Sequence, residues 1–462
     1  MNNIAGSAYL SGGQQKELIQ MDKETQFKRF FQFTSLVTDV FPQHGARVLD
    51  ITLRNLLGNI LVYKAVERQA RKQFAKAKRI KSVLVAADLN IGDAIIAQGA
   101  ISALREILPD VRLDCVVKKS AQDLIEGNPK ISNLYPVYEG APYPKKSDID
   151  RLTEIAESYD YDLVINFSPM VDDKIFGKKS VVNYSMMAAE LVRNEGKKGE
   201  VINNVVYRSY DFVKDIFRDY VTAGPGEDFK GAEVFLSDAA LVAARNFLAS
   251  NGITTDDPIV LFNPDASAKF TRMPFDFQLS VLRKLSGMHC SIMLGAGHVE
   301  KLIEHELLFS LSPEHRKNIT IIPPSTKLDV YTALIDLSGV FISGDTGPLH
   351  LAAARKYSRR TGESLRNKTA VLSVFGGTPS HIYGYDSKAP GFIAANQDAP
   401  SKCFVAESNC RNITCINKMA KTCKEVRCFR KLDPSDVAFE ASRHLGASAK
   451  IINKERMRIL VK

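Results

Sequence analysis

The sequence predicts an α/β protein of two Rossmann-like domains facing a cleft, preceded by an additional helical segment. Three observations lead there. Short apolar runs of strand length alternate with helical stretches in two successive series, from Ser82 to Asn166 and from Ile259 to Phe375. The first 81 residues keep a helical period instead and carry an excess of positive charge. A chain of 462 residues is also too long for one hydrophobic core. The expected division is a basic helical extension at 1–81, a first domain at 82–245, a second at 255–435 and a helix or tail at 436–462, with a hinge near 240–257.

Composition is that of a soluble protein: 45% hydrophobic, 25% charged and without Trp. No run of eighteen or more apolar residues occurs, and the N-terminus lacks the basic-then-apolar layout of a secretory signal. The expected address is therefore the cytoplasm. Of the net charge of +10, residues 1–81 carry +8, from 14 Lys+Arg against 6 Asp+Glu. The remainder is near neutral, which argues against a nucleic-acid-binding body and for one basic segment with an anionic neighbour.

In chain order, residues 1–14 are polar and Gly/Ser-rich. From Lys16 to Lys81 the pattern is helical, with Leu49, Leu53, Leu56, Leu57, Ile60 and Leu61 at helical spacing and a basic stretch after Lys64. Two readings stand: amphipathic helices on the inner face of the cytoplasmic membrane, or a helical extension packed on the body or on another subunit. Ser82 to Ala87 reads as a buried strand, Asp88 to Asp93 as a loop, Ala94 to Leu108 as a helix and Arg112 to Val117 as a second strand, a βαβ unit. Tyr161–Asn166 gives another strand. The second series places strands at Ile259–Phe262, Ser291–Leu294, Ile319–Ile322, Val340–Ile342 and Ala370–Phe375. Ligand is expected where such strands end, at their carboxyl edge.

The most informative stretch is Val340 to Ala354. Its apolar strand turns through Gly344-Asp345-Thr346-Gly347-Pro348 into a helix of strong formers. Unpaired N–H groups and the dipole at such a helix start favour phosphate. Asp345 and His350 flank the seat; the plainer reading is an ordinary turn with Asp345 as a cap.

The wording of this stretch resembles the donor-site signature of glycosyltransferase family 9, the bacterial heptosyltransferases, in which Asp-[Ser/Thr]-Gly-Pro-x-His-Leu-Ala-Ala recurs. Asp345, Thr346, Gly347, Pro348, His350, Leu351, Ala352 and Ala353 match it. The resemblance spans roughly 82–440 and implies a GT-B fold, with no cofactor required for the chemistry. It also implies an inverting transfer of heptose, or a related sugar, from an ADP-activated donor to a glycan hydroxyl. Asp345, Thr346, Gly347 and His350 are then donor-binding.

Four looser motifs follow in the same order. Ile91-Gly92-Asp93 resembles the family motif whose aspartate is the general base, a role that falls to Asp93; a helix cap is its simpler use, and Asp88 is a rival base. Asn263-Pro-Asp-Ala-Ser-Ala-Lys-Phe-Thr-Arg-Met-Pro274 resembles a donor-phosphate segment, giving Ser267, Lys269 and Arg272. It departs from the family at Asp265 for Gly, Thr271 for Lys and Met273 for Trp. A carboxylate beside phosphate is repulsive unless it turns away or meets a cation. Gly295-Ala-Gly-His-Val-Glu300 resembles a turn whose acid meets the ribose, and Phe375-Gly-Gly-Thr378-Pro resembles a loop beside the donor, adding Glu300 and Thr378; His381 is read as structural.

Cys115 and Cys290 sit in apolar runs and are read as core. The other five cysteines crowd between Cys403 and Cys428, with spacings wider than paired metal knuckles. Autotransporter-modifying heptosyltransferases hold a metal with four such cysteines, which implies structural zinc or iron on Cys410, Cys415, Cys423 and Cys428; unliganded thiols are the alternative. Two further functional readings remain: a protein acceptor in place of a lipid-linked one, and a nucleotide-sugar-binding protein without activity.

Overall fold

A computed structural model of the chain describes residues 80–87, 91–138, 146–167, 173–176, 180–183, 204–217, 231–255, 257–266, 271–295, 303–357, 369–376, 378, 380–385, 401–406 and 427–446. The extension expected over 1–81 lies outside them apart from Ile80 and Lys81.

In the first half, β1 (Ser82–Ala87) leads into α1 (Ile91–Ile107), β2 (Arg112–Lys118), α2 (Lys119–Ile125), β3 (Asn133–Tyr138), α3 (Lys146–Ser158) and β4 (Leu163–Asn166). β5 (Ser180–Asn183) and α4 (Val205–Ile216) complete it. The second half runs α5 (Asp238–Ser250), β6 (Ile259–Asn263), α6 (Phe275–Ser286), β7 (Ser291–Leu294), α7 (Ile303–Phe309), α8 (Pro313–Arg316) and β8 (Ile319–Ile321). It continues with α9 (Leu328–Asp336), β9 (Val340–Ser343), α10 (Gly347–Tyr357), β10 (Ala370–Phe375), α11 (Ser380–Tyr383), β11 (Ser401–Val405) and a last helix, α12, at 434–446.

These strands form two separate sheets, ordered β3-β2-β1-β4-β5 and β11-β10-β9-β6-β7-β8. Every pairing among the described residues is parallel. Renumbered within each half, both follow the doubly wound order 3-2-1-4-5, the second with a sixth strand added. The expected two Rossmann-like domains of a GT-B enzyme are thus present. Three strands are absent from the pattern-based reading: β3, β5 and β11. All three are edge strands, where pairing on one side suffices and the apolar pattern is weak; β3 even carries Pro136, which an edge tolerates.

Buried strands place successive residues on opposite faces, and the cores follow that alternation. Leu84 and Ala86 pack with Leu152, Ile155 and Ala156 of α3 on one face of the first sheet. Val83, Val85 and Ala87 point the other way, into a core shared with α1 and α4. In the second sheet Val260, Phe262, Val340 and Ile342 meet α6 and α12, whereas Leu261 and Phe341 join the same shared core with α9 and α10. Full burial of one such Leu or Phe contributes about 1.5–3 kcal/mol. One hydrophobic layer therefore passes from the first sheet to the second through α1, α4, α9 and α10.

The hinge expected near 240–257 begins inside a helix, α5 (Asp238–Ser250). Ser237 caps α5 by accepting from Ala240 N at 3.1 Å. Gly252 ends it in the left-handed region at φ 71°. Ile253 N donates to Leu248 O at 2.9 Å and Gly252 N to Ala249 O at 3.1 Å, the paired bonds of a Schellman stop. No helix among the described residues is long and apolar enough to cross a membrane.

Candidate active site at the facing helix starts

A parallel α/β sheet binds ligand beyond the carboxyl ends of its strands, where the strand order reverses. In the first sheet that point lies between β1 and β4; in the second, between β6 and β9. β1 leads directly into α1 and β9 into α10, so the two crevices present two helix N-termini.

These two N-termini meet. A Cβ placed on Gly92 would stand 3.0 Å from His350 Cδ2, 3.6 Å from Gly347 Cα and 3.7 Å from His350 Nε2. A Cβ placed on Gly347 would in turn stand 3.5 Å from Gly92 N and from Ile91 Cβ. Asp93, half-buried in the first turn of α1, is thereby next to the start of α10. Because α1 begins at Ile91 and not at Ala94, Asp93 lies inside the first turn and is not the cap. Two positive dipole ends converging on one gap make it a favourable place for an anion.

The cap of α10 is Thr346, not Asp345. Leu349 N donates to Thr346 O at 3.1 Å and to Thr346 Oγ1 at 3.4 Å. The same hydroxyl shares a 2.8 Å hydrogen bond with Ser343 Oγ. Ser343 also accepts from Asn263 Nδ2 at 3.1 Å, joining the last residues of the two central strands. Asn263 Nδ2 further donates to Asp265 O, and Tyr331 of α9 donates to Asn263 Oδ1 at 3.0 Å. This buried network holds the turn rigid, so the helix-start N–H groups have a fixed direction. Ser343 and Tyr331 are absent from the motif-based set; in sequence they are an ordinary strand serine and helix tyrosine.

Freed from capping, Asp345 lies half-buried at the gap. Loss of water pushes its carboxyl up to about 6, and the hydroxyl of the buried Thr378 draws it partway back. His350 is buried, and burial holds its ring down to about 4, so it is neutral at physiological pH. Its Nδ1 shares a 2.7 Å hydrogen bond with Tyr385 OH, the two rings edge to face at 5.6 Å. Tyr385 is a second residue that the motifs do not reveal.

Arg272 forms an ion pair with the buried Asp265, Nη2 to Oδ1 at 2.6 Å, and donates to Ala266 O at 2.8 Å. The carboxylate that replaces the family glycine thus meets a cation, and part of the Arg272 charge is spent within the loop. Ser267, Lys269, Glu300 and the rival base Asp88 lie outside the described residues, as do Cys410, Cys415 and Cys423. Cys428 is half-buried on the 3-10 turn Arg427–Lys431. Among the described residues no group of three or more His, Cys, Asp or Glu side chains is arranged to hold a metal.

Comparison with known proteins agrees with this geometry. The sequence model of Glycosyltransferase family 9 (heptosyltransferase) matches residues 204–410. A family 9 glycosyl transferase from Veillonella parvula DSM 2008 has a similar structure, with TM-score 0.60 at 15% identity, covering 79% of this chain and 97% of its own. The E. coli ADP-heptose LPS heptosyltransferase II gives 0.55 at 14% identity, over 79% of this chain and 98% of its own. At such identities the likeness to these structures is one of fold. No curated protein matches the sequence. The match to the family 9 (heptosyltransferase) model over residues 204–410, under half of the chain, together with the GT-B fold, makes this chain similar to the glycosyltransferases of that family.

Proposed function

We propose that the chain is an inverting transferase that moves heptose, or a related sugar, from an ADP-activated donor to a hydroxyl of a lipopolysaccharide core or other glycan. The observation that carries this reading is the close approach of Gly92, in the first turn of α1 beside Asp93, to Gly347 and His350 at the start of α10. In the proposed step Asp93 accepts the proton of the acceptor hydroxyl. The resulting oxygen attacks the anomeric carbon as the bond from that carbon to the diphosphate breaks, and ADP leaves with the electron pair. The growing negative charge is met by the N–H groups at the start of α10, which need no reorganisation because the Asn263–Ser343–Thr346 bonds already hold them.

The similar E. coli structure is that of an ADP-heptose enzyme acting on LPS, which supports the donor and acceptor class. The basic residues between 16 and 81 support a site at the inner membrane face, where a cytoplasmic enzyme meets a lipid-linked glycan. Titration calorimetry with ADP, followed by a donor-hydrolysis assay and transfer to core oligosaccharide, tests the reading in steps. Binding of ADP and turnover of ADP-heptose are expected. Absence of ADP binding rejects the donor, and binding without turnover rejects the enzyme.

A further inference from the structure

We propose that Arg355 and Glu233 are positioning residues: acting through one buried strap of chain, residues 231–236, they set the spacing of the two helix starts at the gap. That this spacing serves catalysis rests on the glycosyl-transfer reading; the strap itself rests on the contacts that hold it.

Residues 231–236 belong to no helix or strand, yet all of them except the half-buried Glu233 are buried. Their contacts alternate, as in extended chain. Ala232, Val234 and Leu236 enter the core shared by the two halves. Glu233 and Phe235 meet the loop between α2 and β3 instead. Glu233 forms an ion pair with Lys130, and a Cβ placed on Gly127 would stand 3.1 Å from Phe235 Cβ. That loop is in turn fastened to α1. Asn128 Nδ2 donates to Gln98 Oε1 at 2.8 Å, and Lys130 Nζ to Ser102 Oγ at 3.0 Å. Arg105 Nε and Nη2 donate to Lys130 O at 3.1 and 2.6 Å. Gln98, Ser102 and Arg105 follow one another at helical spacing, so a single face of α1 takes all these bonds.

From the second half, α10 reaches the same strap. Arg355 is buried, and its Nη1 donates to Val234 O at 2.6 Å. Its Nε and Nη2 grip Asp336 Oδ2 at the end of α9, at 2.8 and 2.7 Å. A guanidinium is planar, so the grip on Asp336 fixes the direction in which the remaining arm meets the strap. The strap is thus tied to α1 through Glu233 and Lys130 and to α10 through Arg355. These are the two helices whose first turns meet at Gly92 and Gly347. At 1.5 Å per residue, Ser102 lies about 15 Å along α1 from Gly92, and Arg355 about 8 Å along α10 from His350. Over such lengths a helix moves as a rod, so fixing both at the strap fixes how closely their starts approach. Arg355 lies two positions beyond the matched Ala353 and was absent from the motif-based set.

Two variants of the full chain test this. Arg355→Lys keeps a cation for Asp336 but loses the planar fork that also holds Val234 O. Glu233→Ala releases the other tie at a half-buried position, where folding is at less risk. The first readout needs no activity: pulsed electron resonance between nitroxides carried by encoded amino acids at the exposed Asp123 of α2 and Glu306 of α7. One narrow distance is expected in the parent and a broader distribution in both variants. The second readout is kinetic, well below the melting temperature. kcat should fall about tenfold in Arg355→Lys with ADP affinity unchanged, because the anion seat keeps its own bonds. Adding Gly92→Ala should then cost less in kcat than it costs the parent, since a loosened helix can yield to the methyl. Parent-like distances in both variants overturn the inference, as do broadened distances with unaltered kcat or kcat losses that simply multiply. Broadened distances in a chain whose parent transfers no sugar reject the functional reading and uphold the strap.

Discussion

Gly92 and His350 face each other across the gap between the two domains, and only a hydrogen on Gly92 keeps them apart: a methyl there would lie 3.0 Å from the imidazole Cδ2. His350 cannot easily yield, because Nδ1 is tied to Tyr385 and the ring is buried. A Gly92→Ala variant must therefore shift one helix start against the other by a few tenths of an ångström. Glycosyl transfer depends on near-attack geometry, so kcat is expected to fall about 10- to 100-fold. Steady-state kinetics with a parallel thermal melt checks this. Unchanged kcat would mean that the gap is not where the reaction occurs.

Asp93→Asn keeps the size of the side chain and removes its ability to accept a proton. Turnover is expected to fall by roughly 10²–10⁴-fold with ADP affinity nearly unchanged. Single-turnover rates alongside ADP titration separate the two quantities. Near-normal turnover would take the role of base away from Asp93.

Asp345 couples the site to pH. Its carboxyl is raised to about 6 from an ordinary 3.8, so the native state binds more protons than the unfolded chain between those values. The stability this group contributes is full below the lower value, declines as pH rises through the window, and stays reduced above the upper one. Asp345→Asn should thus melt later than the parent at neutral pH, by about 1–3 kcal/mol, with the gain vanishing in acid. Melts across that range check it. A gain independent of pH would assign the effect to packing and not to charge.

The Arg272–Asp265 pair, 2.6 Å apart, is expected to behave as a unit. Arg272→Met leaves a buried carboxylate without its cation and should cost about 2–4 kcal/mol. Adding Asp265→Asn should recover most of that loss. Denaturant unfolding of the two single variants and the double variant measures the coupling. Additive losses would show that the pair is not a unit.

Much of the molecule was legible before the structure. Buried parallel strands are continuous apolar runs, so β1, β2, β6, β7, β9 and β10 stand out, and the helices between them imply the crossover connections of two wound sheets. Residues 345–353 carried the resemblance to family 9 because that order of acid, hydroxyl, glycine, proline and histidine is long and chemically mixed. Of the edge strands only β8 stood out; β3, β5 and β11 did not, since their residues are held by one neighbour and leave little apolar pattern. The cap of α10 was not legible in the sequence: Asp345 and Thr346 are both good capping residues, and only the backbone path chooses Thr346.

The sequence by itself determined the two α/β halves, their order and the chemical types gathered at the donor loop, because burial and turn chemistry are local and periodic. Only the tertiary structure decided that Gly92 lies against His350, that Asp265 neutralises part of Arg272, and that the His350 ring meets the hydroxyl of Tyr385, 35 positions further along the chain. Such pairings depend on how two folded sheets pack, and nothing in the spacing of a chain records which distant residue a buried hydroxyl will meet.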